Sequence, residues 1–133
     1  MKLKEQKIGL CCRGRVSAGF PSAAEEELAD ILSLDEWLVR RPEASFLLQV
    51  EGDSMIEAGI LPGDVILVER GLTAREGDIV VAQVDGEWTL KYLCRDGFGP
   101  VLEPANVRYG KVRPQHSLAV EGVVRAVIRR YGH

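Results

Sequence analysis

The chain has 133 residues, 46% hydrophobic and 28% charged, with a formal net charge of −3 at neutral pH. That balance fits one soluble globular domain with a real core and argues against a dedicated DNA-binding module. No apolar run approaches the roughly 20 residues that span a bilayer, and the apolar patch near the N-terminus is too short for a secretory signal, so a cytoplasmic setting is expected.

Residues 1–18 form a cationic tail, with Lys2, Lys4, Lys7, Arg13 and Arg15 against Glu5, ahead of an anionic body. Such a tail reads as a solvated arm. "AGFP" then breaks the chain, because Gly19 and Pro21 interrupt regular structure. Residues 19–44 read as a linker carrying two short helical pieces. Ser22 with Glu25, and Ser33 with Glu36, have capping-box spacing, and Pro42 ends the segment. From residue 45 to 133 the pattern is β-rich. "SFLLQV", "DVILVER", "DIVVAQV", "EWTLKYL", "PVLE", "SLAVEG" and "VVRAVIRR" are short runs separated by turn residues. Asp85-Gly86 is the strongest hairpin signal. The expected fold is mostly β, an antiparallel and partly closed domain behind short N-terminal helical segments.

Cys11 and Cys12 are adjacent, Cys94 is remote, and His116 and His133 stand alone. That spacing offers neither a disulfide framework nor a metal-ligand set, and no metal or cofactor is expected.

The stretch Gly52-Asp53-Ser54-Met55 poses the main chemical question. Gly52 and Asp53 favour a turn, so Ser54 reads first as a turn serine. It would serve as a nucleophile only with a base, and neither histidine has anything to argue for it. A lysine can take that role if it is neutral when it accepts the serine proton. Half-neutrality at pH 7 needs a shift of about 3.4 units, or about 4.6 kcal/mol, which burial can supply. Among five lysines only Lys91 lies within an apolar strand, "EWTLKYL", where it shares a face with Thr89 and Leu93. The plain alternative is a solvent-facing strand lysine.

"GDSM", then "GILPGDVILVER", "GDIVVAQVDGEWTLKYL" and "EGVVRAV", in that order, resemble the catalytic domain of the LexA/UmuD family of self-cleaving serine peptidases, over residues 16–130. The resemblance implies Ser54 as nucleophile, Lys91 as general base, and Ala18-Gly19 as the bond cut. We expect the backbone N–H groups of Ser54 and Met55 to hold the oxyanion. Residues 18–46 resemble the linker of the UmuD branch, and 18 residues before the bond are too few for a helix-turn-helix domain, so direct sequence-specific DNA binding is not expected. That branch implies a homodimer, cleavage stimulated by a RecA–single-stranded DNA filament, and a UmuC-like Y-family translesion polymerase as partner, with no membrane attachment. The alternatives are a non-catalytic polymerase-binding module or a shortened phage-type repressor.

Overall fold

The computed structural model describes residues 9–12, 15–19 and 30–132. The chain divides into two compact units, Met1–Arg40 and Arg41–His133. In the first, β1 (Gly9–Cys12) pairs antiparallel with β2 (Asp30–Ser33), and α1 (Leu34–Leu38) follows directly. The hydroxyl of Ser33 caps α1 by accepting the Glu36 N–H at 3.5 Å, so the second helical piece forms where its cap predicts.

Two expectations change here. Asp30–Ser33 is a strand, not the end of a first helical piece. A capping residue is extended, as Ser33 is at φ −86° and ψ 123°, and no helix runs through such a residue. Within the cationic tail, Gly9–Cys12 is ladder-paired and not a solvated arm. The other capping box, Ser22 with Glu25, lies outside the described residues, as does His133.

The second unit is one six-stranded sheet built from β3 (Ser45–Gln49), β4 (Val65–Glu69), β5 (Ile79–Val84), β6 (Glu87–Asp96), β7 (Gly99–Glu103) and β8 (Leu118–Ile128). Its order is β3-β4-β8-β5-β6-β7, antiparallel throughout, with β3 and β7 at the edges. The mostly β, antiparallel fold is therefore as expected. Among the described residues no helix is long and apolar enough to cross a membrane.

Asp85 and Gly86 join β5 to β6 with φ of 50° and 85°, the paired positive values that a two-residue type I′ turn demands. The Asp85 carboxylate accepts the backbone N–H groups of Ser117, His116 and Gln115, which lowers its pKa and ties the hairpin to that loop.

"SLAVEG" and "VVRAVIRR", expected as separate runs, form the single strand β8. Gly122 lies within it as a point of close approach, since a Cβ there would stand 2.4 Å from Val68 Cγ1 and 3.0 Å from the Glu69 carbonyl oxygen. β5 is nearly all apolar because the sheet is covered on two faces. Val81 packs with Met55, Ile60, Ile66 and Val68, while Val80, Ala82 and Val84 pack with Leu102 and Val123. Each Val, Ile, Leu or Met side chain among them contributes about 1.5–3 kcal/mol on burial.

One ion pair pins the chain that follows the Ser54 turn. Arg129, just beyond β8, donates to Asp64 from Nε at 2.7 Å and from a terminal nitrogen at 2.6 Å, and to the Gly59 carbonyl at 2.9 Å. The guanidinium, with the Leu61 N–H, holds the Asp64 carboxyl down to about 2.

Candidate active site

Ser54 sits in a turn closed by the Ile56 N–H, which donates to the Asp53 carbonyl at 3.3 Å. Gly52 enters that turn at φ 80°, a conformation that favours glycine. Met55 is only 2% exposed and anchors the turn in the core beneath the sheet. A second segment, Ala105–Tyr109, braces it. The Ala105 N–H donates to the Ser54 carbonyl at 2.8 Å, and Asn106 Nδ2 donates to the Asp53 carbonyl at 2.8 Å. Tyr109 donates its hydroxyl to Asp53 Oδ1 at 2.6 Å, and that contact with a carboxylate raises the phenol pKa.

β6 delivers Lys91 to this turn. Its neighbours Leu90 and Tyr92 pack into the core, which fixes the strand, and Lys91 stands opposite Val80 of β5. Lys91 Nζ lies 3.0 Å from Ser54 Oγ, 2.8 Å from Thr89 Oγ1 and 3.2 Å from the Leu90 carbonyl oxygen. Burial of the half-buried amine disfavours its charged form and lowers its pKa from the ordinary lysine value. In the neutral amine two N–H groups satisfy Thr89 and Leu90, leaving the lone pair for the serine proton.

A groove of about 250 Å³ opens at Ser54. Leu48 to Glu51 form one wall, Trp88 to Leu90 the other, and Met55, Ile66 and Val81 the floor. β3 is an edge strand, so an extended segment laid beside it continues the sheet through backbone hydrogen bonds. Among the described residues, neither the Ser54 nor the Met55 N–H donates to a protein acceptor, which leaves two donors free beside the serine.

Of the residues singled out in the sequence, Ser54, Met55 and Lys91 come together. Ala18 and Gly19 lie in the first unit, on an exposed bend where the Gly19 N–H donates to Ser17 Oγ at 3.4 Å. Cys94 donates its thiol to Glu103 at 3.0 Å, and burial together with that carboxylate pushes its pKa up to about 11, so it remains a protonated, unreactive thiol.

Sequence reasoning missed Thr89, Asn106 and Tyr109. Thr89 was within reach, because period-2 alternation already placed it on the face of Lys91. Replacing it with valine removes one acceptor from the amine and leaves it still drier. Any rate that depends on neutral Lys91 should then keep its pH dependence but show a lower midpoint, by up to about one unit. A pH–rate profile of the Thr89→Val chain checks this.

Comparison with known proteins adds the lineage. Residues 11–125 match the family model described as Peptidase S24-like. The chain is 38% identical over 132 residues to a LexA repressor of Carboxydothermus hydrogenoformans, covering 98% of this chain and 64% of that protein. It is 44% identical over 126 residues to a LexA repressor of Acidiphilium cryptum, covering 93% of this chain and 54% of the relative. A LexA repressor of Sorangium cellulosum is 44% identical over 134 residues, 96% of this chain and 57% of the relative. The chain thus spans between half and two thirds of the length of these relatives. A family match over most of the chain, joined to relatives this similar along nearly all of it, shows that the chain belongs to the Peptidase S24-like family, the LexA/UmuD family of the sequence resemblance.

Proposed function

We propose that this chain is a self-cleaving serine endopeptidase that cuts its own Ala18-Gly19 bond with Ser54 as nucleophile and Lys91 as general base. The observation that carries the reading is the 3.0 Å contact between Lys91 Nζ and Ser54 Oγ, made by a lysine whose pKa burial lowers. Neutral Lys91 takes the Ser54 hydroxyl proton as Oγ attacks the Ala18 carbonyl carbon. The resulting oxyanion is held by the Ser54 and Met55 N–H groups. When the tetrahedral intermediate collapses, the bond to Gly19 breaks and the Lys91 ammonium returns its proton to the leaving amine. Water, deprotonated by Lys91, then hydrolyses the ester and frees Ser54. Small Ala18 and side-chain-free Gly19 suit the close approach this attack needs.

In this reading the products are the 18-residue tail and the body, residues 19–133. A RecA–single-stranded DNA filament stimulates the cut in the cytoplasm, and the trimmed body dimerises. It then serves, like UmuD, as accessory subunit of a UmuC-like Y-family polymerase in translesion synthesis. A second reading, a LexA-type regulator released by the same cleavage, is favoured by the names of the relatives, all LexA repressors. Co-purification separates the two, since the first requires a Y-family polymerase bound to the body and the second an operator DNA.

Incubation of the chain at about pH 9–10, where more Lys91 is neutral, followed by intact-mass analysis tests the shared chemistry. The expected result is a pair of fragments meeting at Ala18-Gly19. An intact chain after long incubation, with and without an activated RecA filament, would overturn it.

A further inference from the structure

Ala105 and Asn106 meet the serine turn at its backbone, not at Ser54 Oγ. Asn106 is 5% exposed, and its side-chain amide is committed at both ends. Nδ2 donates to the Asp53 carbonyl at 2.8 Å, and Oδ1 accepts the Arg108 N–H at 3.0 Å. One partner only accepts and the other only donates, so the amide has one orientation.

The Asp53 carbonyl belongs to the peptide unit whose other end is the Ser54 N–H. In a planar trans peptide the C=O and N–H point in opposite directions, so anchoring the oxygen aims the hydrogen. The next unit is held the same way, because the Ala105 N–H takes the Ser54 carbonyl and thereby aims the Met55 N–H. The segment is itself braced, with the Glu57 N–H donating to the Ala105 carbonyl at 2.8 Å and Glu57 Oε2 accepting the Val107 N–H at 2.7 Å. None of these bonds reaches Lys91 Nζ, whose partners are Ser54, Thr89 and Leu90.

We propose that Asn106 is a positioning residue for self-cleavage, holding the Asp53 carbonyl so that the Ser54 N–H points at the oxyanion formed when Ser54 attacks Ala18. The inference rests on the self-cleavage reading above. Oxyanion stabilisation depends on donors that are oriented before charge develops, and deleting one donor costs about 10²–10³ in rate. A donor that is retained but no longer aimed should lose somewhat less, about 10- to 100-fold.

The test is the pH–rate profile of cleavage in the full chain and in Asn106→Asp and Asn106→Leu. Aspartate keeps an oxygen for the Arg108 N–H but puts an acceptor where the donor stood, and leucine removes both functions at similar size. The expected result is a plateau rate lowered about 10- to 100-fold in both variants, with the midpoint unmoved in Asn106→Leu, which adds no charge near Lys91. Melting curves supply the folded fraction at the assay temperature, and either variant that stays folded decides the matter. A plateau within about twofold of the parent, or a loss no larger than the unfolded fraction, overturns the proposal. So does a midpoint that moves with the plateau in the uncharged Asn106→Leu, since Asn106 would then act through the base. A parent chain that never cuts itself sinks the self-cleavage reading instead, which is a separate outcome.

Discussion

A Lys91→Met chain is expected to remain uncut at every pH, and Ser54→Ala likewise. Loss of a nucleophile or its base typically removes a factor of about 10⁴–10⁶ in rate. In the parent chain the sign of the pH effect follows from the direction of the Lys91 shift. Only the neutral amine can take the serine proton. Because burial lowers the Lys91 pKa below its ordinary 10.5, the neutral fraction rises as pH climbs through that lowered value. Below the midpoint the rate should rise about tenfold per pH unit, and above it the rate should level off.

The same shift separates lost chemistry from lost folding. The unfolded chain holds the Lys91 proton more tightly than the folded one, so the buried ammonium opposes folding below the folded-state pKa, and that penalty fades as pH rises toward 10.5. Lys91→Met removes it. The variant should therefore melt no lower than the parent at neutral pH while losing all cleavage, and paired melting and mass measurements check this.

The largest stability effect is expected at Gly122. An added Cβ would lie 2.4 Å from Val68 Cγ1 and 3.0 Å from the Glu69 carbonyl oxygen. Val68 is fully buried between β3 and β8 and has no room to turn away, and a ladder carbonyl cannot swing aside. β8 must instead withdraw from β4, opening the centre of the sheet. Overpacking of this kind costs about 1–3 kcal/mol, and Gly122→Ala should sit at the upper end, with a fall in Tm of roughly 10 °C. Gly97→Ala is the control, since nothing lies within 4 Å of its added Cβ and its φ is not in the left-handed region. A Val68→Ala change in the Gly122→Ala background should restore part of the loss, because two residues in contact do not add.

Gly122 also shows where the sequence misleads. A glycine inside an apolar run reads as punctuation, and only the neighbouring strand reveals that it marks closeness. The strands themselves were legible, because alternation and turn residues such as Asp85-Gly86 act locally and each run had to bury a face. The extended Ser33 was legible in principle, yet a capping box also implies what precedes it, and Asp30–Ser33 followed that implication into a strand. At the site, Lys91 stood out as the one lysine in an apolar strand, but it was the family resemblance that pointed to Ser54 and Lys91 as a pair. Asn106 and Tyr109 stand more than fifty positions from the turn they hold, in a polar loop whose composition signals nothing. Contacts that support a turn from a distance leave no periodic trace.

The central claim is that Lys91 is the base that activates Ser54. Its most direct test is titration of the Lys91 side chain by NMR in the uncut Ser54→Ala chain. The account predicts a midpoint below the ordinary 10.5, at the pH at which cleavage by the parent chain reaches half its plateau. A midpoint at or above 10.5, with cleavage already at its plateau well below it, would contradict the account.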